Sequence, residues 1–316
     1  MKNKKLNALP RVCMVYMDAM NPANILLFTN APVGGLAAND ANNKTREHMV
    51  LKLLNRDPAI PFSDPNHGPA WRSLADSLYE TIDGRFGANT SSQMKAVLKA
   101  GRRFNWDYDL ILPGATKKLE LKVGHGTRVD SLPEFFNPAA NYDFHGGASY
   151  AGYFYDNYLP RLLDIYPAQG LQMPTREWYI QKVHGTSRTP ALFNHLHNAE
   201  VSGTDEQKRE KKALVDQSIT GWLNQTLGST DIPRLTEAFL RSQGDKTFLL
   251  YDRATNKFHT DSIRQEELTV QSVTGIRNGN VLVLQSAVLT TAFHMLLRWK
   301  NHAGILYPAW QISMRR

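Results

Sequence analysis

Only one cysteine, Cys13, occurs among the 316 residues. A single thiol closes no intramolecular disulfide and builds no Cys-rich zinc site, so a reducing, intracellular compartment is the expectation. No apolar run approaches the ~20 residues that span a bilayer, and no membrane partner is expected. The opening MKNKKLNALPRVCMVYMDAM begins basic and then turns apolar, but Pro10, Arg11 and Asp18 interrupt it too early for a secretion signal. No repeat at solenoid spacing and no long low-complexity tract is present. A Gly-x-Ser-x-Gly elbow and a Gly-Lys-Ser/Thr phosphate loop are both missing, which argues against serine hydrolases and nucleoside triphosphatases. His195 and His197 have no cysteine or third histidine near them in sequence, which argues against a zinc site.

What the chain does have is positive charge. A formal net charge of +8 and a pI near 9.4 suggest a polyanionic partner. The basic residues are spread along the chain (KNKK, KAGRR, KREKK, RWK and a final RR), a distribution that suits a groove better than a tail.

The pattern along the chain predicts an α/β protein with a β-rich C-terminal region, and three sections: 1–42, 43–244 and 245–316. The first holds a possible strand, NILLFTN, and a Gly/Asn-rich loop. A helix follows over NKTREHMVLKLLN, with Glu47, Val50, Leu51 and Leu54 on one stripe. AWRSLADSLYETI reads as a second helix and SSQMKAVLKAG as a third. An aromatic-rich helix, interrupted at Pro160, covers the region after Gly147, and EWYIQKVHG reads as a buried strand. Residues 205–227 read as a helix. From about Asp245, alternation and tight turns predict three hairpins, with Asn278-Gly279 giving the strongest turn signal.

The informative stretch is FNWDYDLILPGATKKLELKVGHG, over 104–126. It reads as two strands, WDYDLIL and KLELKV, paired about a turn over 113–118. Alternation puts Asp107 and Asp109 on one face of the first strand, and Glu120 and Lys122 on one face of the second. Converging carboxylates repel and raise a pKa unless a cation stands between them. Magnesium, which prefers hard oxygen ligands and keeps several waters, would remove that conflict and leave the ion open to a phosphate. A backbone carbonyl near Lys122, such as that of Leu121, could add to such a shell.

An Asp on one strand followed by Glu-x-Lys on the next resembles the PD-(D/E)XK nuclease superfamily. The matching positions are Asp109, Glu120 and Lys122, with Asp107 the alternative to Asp109. Glu47 corresponds to the acidic residue that this family often carries on the helix before the sheet; Tyr108 stands where many members have proline. The resemblance covers about residues 43–185. It implies a restriction-endonuclease-like mixed sheet flanked by helices and a Mg²⁺-dependent endonuclease, with Mn²⁺ as substitute, that hydrolyses DNA to leave 5′-phosphates. Asp109 and Glu120 would bind the metal, Lys122 would serve the attacking water, and Glu47 would support the metal or the lysine. His48, beside Glu47, keeps an RNA substrate open as a less favoured reading. A non-catalytic nucleic-acid-binding protein on the same scaffold is the other alternative, and a homodimer would allow both strands to be cut. Further contacts to nucleic acid are expected from His125 and Arg128 beyond the lysine strand, Gln181 and Lys182 on EWYIQKV, and Arg298 and Lys300 in RWKNH.

Overall fold

The computed structural model describes residues 19–30, 36–99, 104–124, 126–135, 143–145, 147, 149–167, 170–183, 191–302 and 305–316. The chain divides into two compact units, 1–129 with 245–262 and 130–244 with 263–316. The expected boundary at 244 is therefore one of three crossings between units. The segment 245–262, read from sequence as the start of a separate tail, belongs to the first unit.

In that unit a 3-10 turn (Pro22–Ile25) leads into α1 (Leu26–Thr29), so NILLFTN is helical and not a strand. Asn21 caps the turn by accepting the Ala23 N–H, and Pro22 sits in its first turn, where a missing N–H costs nothing. Then come α2 (Leu36–Leu54) and α3 (Gly68–Phe86). Gly68 packs against the Phe62 carbonyl, which would stand 2.4 Å from any Cβ placed there. The third expected helix shortens to α4 (Thr90–Gln93), and its remainder becomes β1 (Lys95–Leu98). Tertiary pairing overrides the helical period there. The Asn55 side chain bonds Ala96 through both its N–H and its C=O, and β1 pairs antiparallel with β2 (Tyr108–Leu112).

β2 turns into β3 (Ala115–Val123) through Pro113 and Gly114 alone. Gly114 has φ 79°, which only glycine adopts without strain. The chain next builds the second unit from β4 (Ser131–Phe135), α5 (Tyr150–Asn157), α6 (Leu159–Ile165), α7 (Arg176–Lys182), α8 (Ala191–Ser202), α9 (Asp205–Thr226) and α10 (Ile232–Gln243). It returns to the first for β5 (Lys246–Asp252) and β6 (Lys257–Asp261), and ends in the second with α11 (Gln265–Leu268) and β7 to β10 (Val270–Arg277, Val281–Ser286, Ala292–His302, Ile305–Arg315).

The first unit's sheet has the order β1-β2-β3-β5-β6, with β3 and β5 parallel and all other pairs antiparallel. Its apolar core joins Met49, Val50 and Leu53 of α2 and Trp71, Leu74, Leu78 and Ile82 of α3 to Tyr108, Leu110, Leu119, Leu249 and Tyr251 of the sheet. It is thus a mixed five-stranded sheet packed with helices.

The second unit carries an all-antiparallel sheet, β4-β10-β9-β8-β7. Asn278 and Gly279, both at positive φ, make the β7–β8 turn as expected. EWYIQKV is α7, a helix rather than a strand. Thr175 caps it by accepting the Trp178 N–H, and Trp178 stacks on Phe193 of α8. No helix among the described residues is long and apolar enough to cross a membrane.

This unit's core includes an ionisable group. His145 is 1% exposed and packs against Phe144, Trp222 and Trp310. Among the described residues its Nε2 has no hydrogen-bond partner, and burial pushes its pKa down from 6.5 to about 4. Below pH 6.5 the unfolded chain binds a proton that the folded unit refuses until about pH 4. The stabilisation is therefore complete above 6.5 and lost as pH falls through that window, by roughly 3 kcal/mol. Thermal unfolding between pH 7 and 4 should show this loss, and His145→Phe should flatten it.

Candidate active site

The short β2–β3 turn determines which side chains meet. It places Asp109 opposite Lys118 and Tyr108 opposite Leu119, so the residue that continues the register to Glu120 is Asp107. The longer turn expected over 113–118 would have set Asp109 opposite Lys122, on the same face as Glu120 and one pleat from it; the observed turn instead slides Asp109 toward the hairpin end. There Asp109 lies in an ion pair with Lys99 (2.9 Å) and accepts the Trp106 indole N–H (2.8 Å). Lys99 and Lys118 sit over the rings of Phe104 and Trp106, so Asp109 belongs to a cationic and aromatic surface cluster.

Asp107 just precedes β2. Its backbone N–H donates to Leu119 O (2.9 Å), and its carboxylate accepts the Leu121 N–H (2.8 Å), which holds it against the middle of β3. Glu120 is 7% exposed, and its Oε1 lies 2.9 Å from Lys122 Nζ. Glu47 comes from α2, whose position is tied to the sheet by the fully buried Tyr108, which donates its O–H to the Glu47 carbonyl (2.8 Å).

These groups perturb one another. Burial raises the Asp107 pKa well above the carboxylate range, and the negative charges of Glu120 and Glu47 raise it further; the Leu121 N–H and Lys122 act in the opposite sense. The three carboxylates therefore form one electrostatic cluster. A second lysine faces it. Lys246, the first residue of β5, is 5% exposed and donates to the Asn105 carbonyl, just ahead of Asp107. Burial pushes its pKa down to about 7, with Glu120 and Asp107 opposing the shift and Lys122 and Lys118 adding to it. An amine is costly to bury, and this one lies among the carboxylates that compensate it.

Among the described residues, no three His, Cys, Asp or Glu side chains stand in a ready metal-holding group. The donor chemistry nevertheless fits a hard divalent cation. Glu47, Asp107 and Glu120 offer only oxygens, and the raised Asp107 pKa is the conflict that such a cation relieves.

The remaining expected residues are scattered. His48 neighbours Glu47 on α2, with its pKa lowered by burial and then by Lys52. Arg128 is exposed in the segment after β3, and His125 lies outside the described residues. Gln181 and Lys182 are exposed on helix α7 of the second unit; the strand beside β3 is β5. Arg298 and Lys300 both lie on β9 of the second unit. Lys246 escaped the sequence reading, although a lysine opening the otherwise apolar run KTFLLY was a signal in plain view. Compared with known protein families, curated proteins and solved structures, the chain matches none at a significant level.

Proposed function

We propose that the first unit is a Mg²⁺-dependent endonuclease of restriction-endonuclease-like fold, which hydrolyses phosphodiester bonds in DNA and leaves 5′-phosphate ends. The observation that carries this reading is the convergence of Glu47, Asp107 and Glu120 with Lys122 at the β2–β3 pair, in a chain of net charge +8. The resemblance to PD-(D/E)XK nucleases is kept, with its aspartate moved from Asp109 to Asp107. A mixed sheet with helices packed on it is consistent with that family.

Asp107 and Glu120 would hold the ion, with Glu47 behind them. A bound Mg²⁺ supplies neutralisation of phosphoryl charge and a more acidic water. Lys122 is held by Glu120 in an ion pair of 2.9 Å, and there it would orient the attacking water and stabilise charge on the phosphorus oxygens. Lys246 is buried and holds the Asn105–Asp107 backbone against β5, so that the aspartate is placed before substrate arrives.

The test is incubation with supercoiled plasmid, single-stranded DNA and RNA, in Mg²⁺, Mn²⁺ or chelator, followed by sequencing of the ends. Cleavage of DNA to 5′-phosphates only with metal is the expected result. Binding without cleavage under every condition would overturn it in favour of a non-catalytic scaffold, and cleavage of RNA alone would change the substrate.

A further inference from the structure

Two arginines of the first unit come together with no acidic partner among the described residues. Arg46, immediately before Glu47 on α2, is 2% exposed. Its Nε donates to the Leu27 carbonyl (2.9 Å) and its Nη1 to Asn43 Oδ1 (2.6 Å). Arg253, which follows β5, donates its Nε to the Phe28 carbonyl (3.2 Å). The two guanidinium groups therefore bond consecutive carbonyls of α1 and converge on its end. Among the described residues neither has a carboxylate partner, and their other N–H groups have no acceptor. Burial, and then the charge of Arg253, lowers the Arg46 pKa.

A glycine sets where this pair lies. Gly124 directly follows β3 at φ 88°, and a Cβ there would stand 3.0 Å from Arg253 Nη1. The Gly124 N–H donates to Tyr251 O (2.8 Å), which fastens this segment to β5. The missing side chain lets the Arg253 guanidinium lie against the backbone just past Lys122. Like charges held together and partly buried call for an anion, and guanidinium forks match the oxygens of a phosphate.

We propose that Arg46 and Arg253 form a phosphate-binding site beside the Glu47–Asp107–Glu120–Lys122 cluster, and that it holds a backbone phosphate of bound nucleic acid next to the one cleaved. The anion site stands on its own geometry; the identity of its ligand rests on the nuclease reading.

The experiment uses the full chain in chelator, so that no cleavage intervenes. Arg253→Gln is the main variant, because Arg253 is half-buried and glutamine can still donate to the Phe28 carbonyl. Inorganic phosphate, compared with chloride at equal ionic strength, should raise the Tm of the wild type and leave that of Arg253→Gln unmoved. A labelled DNA oligonucleotide should bind the variant about tenfold more weakly, with a salt slope shallower by about one. Arg253→Lys should recover part of the affinity, and Gly124→Ala, which displaces the guanidinium, should lose it. Wild-type affinity and salt slope in Arg253→Gln would overturn the proposal, as would a wild type that binds neither phosphate nor oligonucleotide. Should the wild type cleave nothing with Mg²⁺ or Mn²⁺ while Arg253→Gln still loses binding, the nuclease reading falls and the anion site stands. If the wild type cleaves and Arg253→Gln binds as it does, only the anion site falls.

Discussion

Asp107→Asn is expected to lower Mg²⁺-dependent cleavage by on the order of a thousandfold, while Asp109→Asn leaves it within about fivefold. The two aspartates are close in sequence and were both candidates for the same role; the register separates them. Asp107 faces Glu120, accepts the Leu121 N–H and feels the charges of Glu120 and Glu47. Asp109 is committed to Lys99 and the Trp106 indole. Asparagine at 107 keeps the size of the side chain and an oxygen for the Leu121 N–H, but removes the charge. It also relieves repulsion within the cluster, so Asp107→Asn should unfold at a higher temperature than the wild type in chelator. Lost activity with gained stability is a pair of results that mere unfolding would not produce.

Lys122→Met should be the second large loss, of about a hundred- to ten-thousandfold in kcat. Methionine keeps the apolar stem and removes the amine 2.9 Å from Glu120. Glu120 then has one fewer cation beside it, so affinity for a divalent ion should hold or rise while turnover collapses. Kinetics at saturating DNA, set beside metal titration of the same variant, separate these effects. Equal loss of metal binding and of turnover would mean that Lys122 serves only to place Glu120.

Much of this site could be read from the sequence, and the part that could not has a physical cause. Alternation alone put Glu120 and Lys122 on one face, because the period of a strand is fixed by its backbone. The helical stripe of α2 likewise marked Glu47 through Val50 and Leu54. The choice between Asp107 and Asp109 hung on turn length, and Pro113-Gly114 closes the hairpin more tightly than the lysines after it suggested. Lys246 becomes a neighbour only through the parallel β3–β5 pairing, made after the chain has built much of a second unit, and no local pattern announces that. The misread segments have a common origin. QMKAVLK and EWYIQKV are short, and for such runs local period is weaker than capping and strand pairing. Asn55 recruited the first as a sheet edge, and Thr175 capped the second as a helix.

In the proposed enzyme, residues 47, 107 and 120 share one divalent cation. Calorimetric titration of Mn²⁺ into the full chain, without nucleic acid, tests this sharing directly. A single saturable site is expected in the wild type and in Asp109→Asn, and its loss in Asp107→Asn and Glu120→Gln. A site abolished by Asp109→Asn and retained in Asp107→Asn would contradict it.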